Sequence, residues 1–292
     1  MRKQYASMTF VNVMWGLSFL ASKLALGNGF STMGLALARN VVSLCCLVPV
    51  VLLREGGMRL RRGDILPMLL SGVTGITVYY LCEYNGLQRT STTDASLILG
   101  TIPVLTMAAE AAVRRKRLTA YQVAGALLSL AGVAIIVGAS GSEGSASLIG
   151  DLFVLGAAVV WVIYIFVSRR LRETYSSLAM NAWQEIFAVA SLAPLLCADP
   201  CDFGAIGWQG WAAMLCLGLV CSALCYVLYG GALHALSPLA SSIFINLIPL
   251  TTIAATVLLM GELPGWQVLA GGAMIVGSIF LVNMTEGKED IA

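Results

Sequence analysis

Residues 79–103 read YYLCEYNGLQRTSTTDASLILGTIP, and residues 225–249 read CYVLYGGALHALSPLASSIFINLIP. Each stretch contains an apolar helix end, a short turn and a second apolar segment that carries a proline. Pro249 follows Pro103 by 146 positions, which is half of the 292 residues. This spacing predicts that the chain is built from two copies of one unit.

The same offset of 146 positions pairs identical residues along both halves. These pairs are Trp15 with Trp161, Ser31 with Ser177, Gly72 with Gly218, Tyr80 with Tyr226, Leu87 with Leu233, Ser91 with Ser237, Ser96 with Ser242 and Thr106 with Thr252. We therefore predict a first five-helix repeat at 1–138, a linker at 139–147, a second five-helix repeat at 148–285 and a cytoplasmic tail at 286–292. The linker, ASGSEGSAS, is rich in Gly and Ser, as flexible connections are.

The composition is that of an integral membrane protein. Hydrophobic residues make up 59% of the chain and charged residues 11%, against about 25% charged in soluble domains. A membrane-spanning helix needs about 20 mostly apolar residues. Ten runs fit, at 6–26, 32–53, 65–87, 93–113, 119–138, 149–168, 177–197, 208–231, 238–259 and 265–283. The predicted fold is an all-α integral membrane protein with ten transmembrane helices.

The basic residues determine the predicted orientation. If the N-terminus is cytoplasmic, 14 of the 17 Lys and Arg residues lie on that side, as the positive-inside rule requires. Both termini are then cytoplasmic, and the RRKR run at 114–117 is a topology anchor rather than a nucleic-acid patch. Because five spans is an odd number, the second repeat enters the membrane from the opposite side. Inverted repeats are typical of alternating-access transporters.

Glu83 is an acid within an apolar segment. Gly72, Ile76, Tyr79 and Glu83 lie on one stripe of the third span, whereas the repeat places Tyr229 at the position equivalent to Glu83. An unpaired ionised carboxylate is costly in a membrane. We interpret Glu83 as a proton-responsive or amine-binding group. The alternatives are an acid at the membrane interface or an ion pair with Arg39.

Other residues are candidates for gating or coupling. Arg39 and Glu185 occupy equivalent positions and could form two half-gates, although each could also be satisfied separately by its neighbours. Pro103 and Pro249 each remove a backbone hydrogen bond near mid-membrane, which produces a kink that either serves gating or is merely tolerated.

Asp94 and the deep aromatic residues each have two interpretations. Ser91 and Asp94 have the spacing of a helix cap, which explains Asp94 without a functional role. Trp15 and Trp161 lie within their spans and either form a cavity wall or pack helices together. Gly125 and Ser129 have the small-x-x-x-small spacing of a close helix contact, within one chain or between two.

Several runs carry a family resemblance. They are Trp15-Gly16, Arg39, residues 86–106 (GLQRTSTTDASLILGTIPVLT), residues 117–137 (RLTAYQVAGALLSLAGVAIIV) and residues 232–277 (ALHALSPLASSIFINLIPLTTIAATVLLMGELPGWQVLAGGAMIVG). Together they resemble the EamA-like branch of the drug/metabolite transporter superfamily over nearly the whole chain. The chain departs from the family where an acid usually precedes the Leu that opens the last helix of each repeat. The second repeat has Glu262 there, but the first has Arg117.

The resemblance implies a bundle of two inverted five-helix repeats around a central cavity. Helices one, three, four, six, eight and nine would form most of its wall. It also implies movement of small metabolites or amino acids, commonly outward. Carried onto this sequence, the cavity residues are Trp15, Tyr79, Glu83, Ser96, Trp161, Tyr164, Tyr226, Tyr229, Ser242 and Asn246.

The expected function is secondary active transport of small organic metabolites, such as amino acids or amine-bearing compounds, out of the cell. We expect a multi-pass protein of the bacterial inner membrane, surrounded by lipid, monomeric or homodimeric, with protons as a candidate coupling ion. The alternatives are a channel-like facilitator and a non-transporting receptor or scaffold.

The sequence offers no support for an enzyme, a cofactor or a metal site. Nucleotide-binding, zinc-protease and hydrolase motifs are absent, and His234 is the single histidine. Cys197 and Cys201 flank an Asp-Pro turn and would form a disulfide only in an oxidising compartment.

Overall fold

The computed structural model describes residues 2–115, 117–143, 145–233, 244 and 247–289. All regular structure in these residues is helical, and we number the helical segments in chain order. They are α1 Arg2–Gly27, α2 Thr32–Glu55, α3 Arg62–Leu87, α4 Thr92–Arg114, α5 Ala120–Glu143, α6 Ser145–Thr174, α7 Ser177–Leu195, α8 208–233, α9 Leu247–Met260 and α10 Trp266–Glu289.

Seven of the described helices, α1 to α6 and α8, are long and apolar enough to cross a membrane. The described parts of α9 and α10 include shorter apolar stretches. Large apolar side chains such as Leu53, Val113 and Leu258 are exposed on the outside of the bundle, where lipid would cover them. Trp208 and Trp266 are exposed at helix starts, as interfacial aromatic residues are. The protein is therefore a multi-pass membrane protein.

Several helices depart from regular α geometry near their middle. α3 contains a π-helical segment at Val73–Val78, and α8 contains one at Cys216–Leu224. The offset of 146 positions maps residues 73–78 onto residues 219–224, which lie within the second segment. α4 is interrupted at residues 100 and 101, and it restarts at Ile102, one residue before Pro103. The break lies where the proline predicts one, because proline fits the first turn of a helix but not its interior.

α2 and α7 pack against each other in antiparallel directions. Near the start of α2, the Met33 backbone N–H donates to Asp199 Oδ2, which follows α7, at 2.8 Å. In the middle, the Ser43 hydroxyl donates to Glu185 Oε1 at 2.7 Å. At the other end, the hydroxyl of Ser176, the N-cap of α7, donates to a Glu55 oxygen at 2.5 Å. The pair is thus held at both ends and at the centre.

α5 and α10, the last helices of the two predicted repeats, are also antiparallel. A Cβ atom added to either Gly132 or Gly271 would lie 2.6 Å from the carbonyl oxygen of the other. A Cβ on Gly125 would lie 3.0 Å from the carbonyl oxygen of Ser278. The two backbones approach this closely only because glycine has no side chain. The small-residue contact predicted at Gly125 is therefore made within one chain.

The predicted linker has a different local structure from the one expected. Residues 139–143 continue α5 and residues 145–147 begin α6, so helix replaces the expected flexible connection on both sides of Gly144. α6 also continues to Thr174, beyond the predicted end at residue 168. Helices tolerate the Gly and Ser residues here because intrinsic helix propensity is a weak preference that the structural context overrides. The division into two repeats remains a prediction.

Gly132→Ala should destabilise the protein by about 1–3 kcal/mol, because the new methyl group overpacks the contact with α10. Thermal unfolding of the purified protein in detergent measures the change. Gly138→Ala is the matched control on the same helix, since a Cβ there has nothing within 4 Å. Equal unfolding temperatures for both variants would contradict the packing.

Candidate functional site

An aromatic cluster joins α1 to α8. The ring centroid of Trp15 lies 5.8 Å from that of Tyr226 and 5.1 Å from that of Tyr229. Its indole N–H donates to the Cys221 carbonyl oxygen at 3.0 Å. This carbonyl belongs to the π-helical segment of α8, where the regular backbone hydrogen-bonding pattern is interrupted. The hydrogen bond fixes the orientation of Trp15.

A second aromatic cluster joins α3 to α6. The Trp161 centroid lies 5.0 Å from that of Tyr79 and 4.9 Å from that of Tyr164. Trp15 and Trp161 are equivalent in the predicted repeat, which would place the two clusters at equivalent positions. Each one pairs a tryptophan from one predicted repeat with tyrosine from the other.

Arg39 is buried and connects three helices. Its Nε donates to Ser222 Oγ on α8 at 2.8 Å, and its Nη1 donates to the Tyr84 hydroxyl on α3 at 2.8 Å. Its guanidinium carbon also lies 4.7 Å from the centroid of the Tyr80 ring. Charge-assisted hydrogen bonds and the aromatic face compensate for part of the cost of burying the cation.

Glu185 lies deep in α7 and lines a small cavity. Its Oε1 accepts from Ser43, which is one helical turn after Arg39 on α2. The cavity has a volume of about 10 Å³, enough for about one water molecule. Its lining residues are Gly75, Ile76, Trp161, Tyr164, Asn181, Gln184, Glu185 and Tyr226. The described residues thus leave no space for a metabolite here, and the structure is a closed conformation at this point.

Glu83 is buried beside the aromatic residues of α3. Within the described ranges, ion pairs within 4.0 Å are those of Glu110 with Arg114 and with Arg169. The alternative in which Glu83 forms an ion pair with Arg39 is therefore wrong for this conformation.

The remaining predicted residues have varied surroundings. The Asp94 backbone N–H donates to Ser91 Oγ at 2.9 Å, which confirms the helix cap. The Ser96 hydroxyl donates to the Thr93 carbonyl oxygen of its own helix at 2.9 Å. Pro249 is buried near the start of the described part of α9. Ser242 and Asn246 lie outside the described residues, so their predicted place in the cavity stays a prediction.

Several polar residues of the core escaped prediction. Ser43 binds Glu185, and Tyr84 and Ser222 bind Arg39, but single hydroxyl residues in apolar helices give no sequence signal for their partners. Thr90 and Asp151 form another buried contact, in which the Thr90 hydroxyl donates to the Asp151 carboxylate. Tyr80, whose ring lies under the Arg39 guanidinium, did give a sequence signal, because the offset of 146 positions pairs it with Tyr226.

The described residues show no cluster of three or more His, Cys, Asp or Glu side chains that could hold a metal ion. All eight cysteines are free. The sulfur of Cys201 accepts a hydrogen bond from the Ser31 backbone N–H at 3.5 Å.

The model of the EamA-like transporter family matches residues 4–138 and residues 148–284. The chain belongs to the EamA-like transporter family. It is 29% identical over 272 residues to a protein of Streptantibioticus cattleyicolor named "Probable terminal-alkyne amino-acid exporter", covering 93% of this chain and 90% of that relative. It is also 30% identical over 282 residues to the Bacillus subtilis protein "Uncharacterized transporter YvbV", covering 94% and 90% of the two chains.

A solved crystal structure of another protein has the same fold. The TM-score is 0.68 at 20% sequence identity, and the match covers 97% of this chain and 98% of the other. At this level of identity the likeness concerns the fold alone. Both relatives match nearly the whole chain, so this EamA-like protein is similar to them in length.

Tyr84→Phe should destabilise this EamA-like protein by about 1.5–3 kcal/mol, because Arg39 loses a hydrogen bond to its buried charge. Thermal unfolding in detergent tests this. Tyr121→Phe on α5 is the control, since Tyr121 is 53% exposed. A similar unfolding temperature for Tyr84→Phe and the wild type would argue against a stabilising role for this bond.

Proposed function

We propose that this EamA-like protein is a secondary active transporter that exports small organic metabolites, such as amino acids, by alternating access. The observation that carries the proposal is the antiparallel packing of helices that are equivalent in the repeat. α2 packs on α7 and α5 on α10 in this way. Thr92 at the start of α4 also shares a hydrogen bond of 2.9 Å with Thr256 in the last turns of α9. This arrangement supports two inverted repeats.

Two inverted repeats explain alternating access in physical terms. The repeats can exchange conformations, so a state open to one side of the membrane has a counterpart of similar energy open to the other. Helix pairs that connect the repeats would then move as the access changes. The contacts of Asp199 with α2 and of Glu55 with α7 lie at opposite ends of one such pair.

The proposed topology has ten spans with both termini in the cytoplasm. The distribution of basic residues supports this orientation, and an even number of spans follows from it. In this orientation α2 begins at the outer side of the bacterial inner membrane and ends at the cytoplasmic side. The loop that carries Asp199 is then external, and Glu55 is cytoplasmic.

The cargo is proposed from the chemistry of the centre and from the relatives. Two aromatic clusters and two buried acids, Glu83 and Glu185, suit a small molecule with an apolar part and an amine. The name of the Streptantibioticus relative, an amino-acid exporter, supports amino acids and the outward direction. Protons are the proposed coupling ion, with Glu83 as the group that exchanges protonation or amine contact.

The experiment is counterflow of the twenty common L-amino acids and L-norvaline into proteoliposomes. The wild type should catalyse saturable counterflow of at least one of them. Glu83→Gln should lower its rate by about tenfold or more, as expected for loss of a charge-assisted interaction. Glu110→Gln is the matched control, because Glu110 is partly exposed and pairs with Arg114 and Arg169.

Three outcomes would overturn parts of this proposal. An unchanged rate and pH profile in Glu83→Gln would remove Glu83 from the mechanism. Conductance without saturation or counterflow would support a channel-like facilitator. No flux of any compound in this panel would contradict amino-acid transport and favour a receptor or scaffold.

A further inference from the structure

Among the described residues, one carboxylate oxygen of Glu185 has no hydrogen-bond partner. Glu185 is 3% exposed, and its Oε1 accepts from Ser43. Its Oε2 is shielded from solvent and has no hydrogen-bond partner within the described ranges. A buried carboxylate without a partner is costly unless a proton or a cation joins it.

The cavity beside this carboxylate has the size and lining of a site for a cationic head group. Its volume of about 10 Å³ holds about one water-sized group, and a primary ammonium group is of that size. Trp161, Tyr164 and Tyr226 line the cavity, and aromatic faces attract cations. Asn181 and Gln184 add amide groups to the same wall.

The described part of the chain provides no ion-pair partner for Glu185. Arg39 is one helical turn before Ser43, but its guanidinium donates to Tyr84 and Ser222. No ion pair within 4.0 Å joins Arg39 to Glu185. The carboxylate therefore remains available to a cation that enters the cavity from outside the chain.

Gly75 shapes the wall opposite α7. A Cβ atom added to Gly75 would lie 2.5 Å from Cδ2 of Tyr164, so a larger residue would displace the ring. Gly75 lies in the π-helical segment of α3. The absence of its side chain lets Tyr164 rest on the backbone of α3 and close the cavity.

We propose that Glu185 binds the primary ammonium group of the cargo, with the rings of Trp161, Tyr164 and Tyr226 around it. This inference rests on the proposed transport function and restricts its cargo to primary amines, including α-amino acids. Glu185 thereby acts in cargo recognition rather than as a separately satisfied residue or a half-gate. We expect a site that closes to the size of one ammonium group to favour primary over trimethylated ammonium groups.

Binding is tested on the purified full-length protein by thermal unfolding with n-butylammonium chloride. NaCl at equal ionic strength and n-butyltrimethylammonium chloride are the comparison salts. n-Butylammonium should raise the unfolding temperature in a dose-dependent way, and the other two cations should not. Equal stabilisation by the trimethylated cation, or stabilisation by Na⁺ alone, would overturn the proposal without the use of any variant.

Glu185→Gln should weaken n-butylammonium binding by about tenfold or more, because a charge-assisted hydrogen bond is lost. Its unfolding temperature without ligand should not fall, since the substitution removes a buried carboxylate that has no ion-pair partner among the described residues. Glu110→Gln should bind n-butylammonium as the wild type does. Wild-type affinity in Glu185→Gln would overturn the proposal.

L-norvaline counterflow separates this inference from the transport function. If the wild type carries L-norvaline and Glu185→Gln has an unchanged KM, the inference is wrong and the transport function stands. A KM raised by about tenfold or more supports both. If n-butylammonium binds through Glu185 but no amino acid is carried, the ammonium site stands and amino-acid transport falls.

Discussion

The antiparallel contact between α2 and α7 is the constraint on which the rest of the structure depends. Three carboxylates along this contact accept hydrogen bonds, and in each case the donor belongs to the predicted repeat that does not contain the carboxylate. They are Asp199 from the Met33 N–H, Glu185 from the Ser43 hydroxyl and Glu55 from the Ser176 hydroxyl. Two of the buried charges of the centre, Arg39 and Glu185, lie on these two helices. The contact thus positions the charges as well as the helices.

The aromatic clusters make the centre sensitive to movement between the repeats. Trp15 packs on tyrosines of α8, and Trp161 packs on Tyr79 of α3. A path that opens between the predicted repeats must separate at least one of these ring pairs. A cargo that carries apolar surface and a cation can replace the lost contacts, because rings interact favourably with both. The same aromatic side chains would therefore both recognise the cargo and allow the protein to close around it.

The sequence predicted an all-helical membrane protein because apolar runs and turn residues are local signals. Ser91 also predicted the cap at Asp94, whereas the equivalence of helices that the offset between Pro103 and Pro249 indicates stays a prediction. Gly and Ser content describes only a preference, so it did not predict that the neighbouring helices extend into residues 139–147. The centre was harder to predict. Glu185 and Ser43 are brought together by packing between distant helices, and neither residue indicates the other in sequence.

The most direct measurement of alternating access uses two pairs of spin labels, at opposite ends of the bundle. Arg89 and Asp202 suit one end, and Arg59 and Glu173 suit the other, because all four are exposed and each pair spans the two predicted repeats. Electron-resonance distances would be recorded with and without the amino acid that the protein carries. Alternating access predicts that one distance grows while the other shrinks. Two distances that stay constant, or change in the same direction, in protein that catalyses counterflow would contradict it.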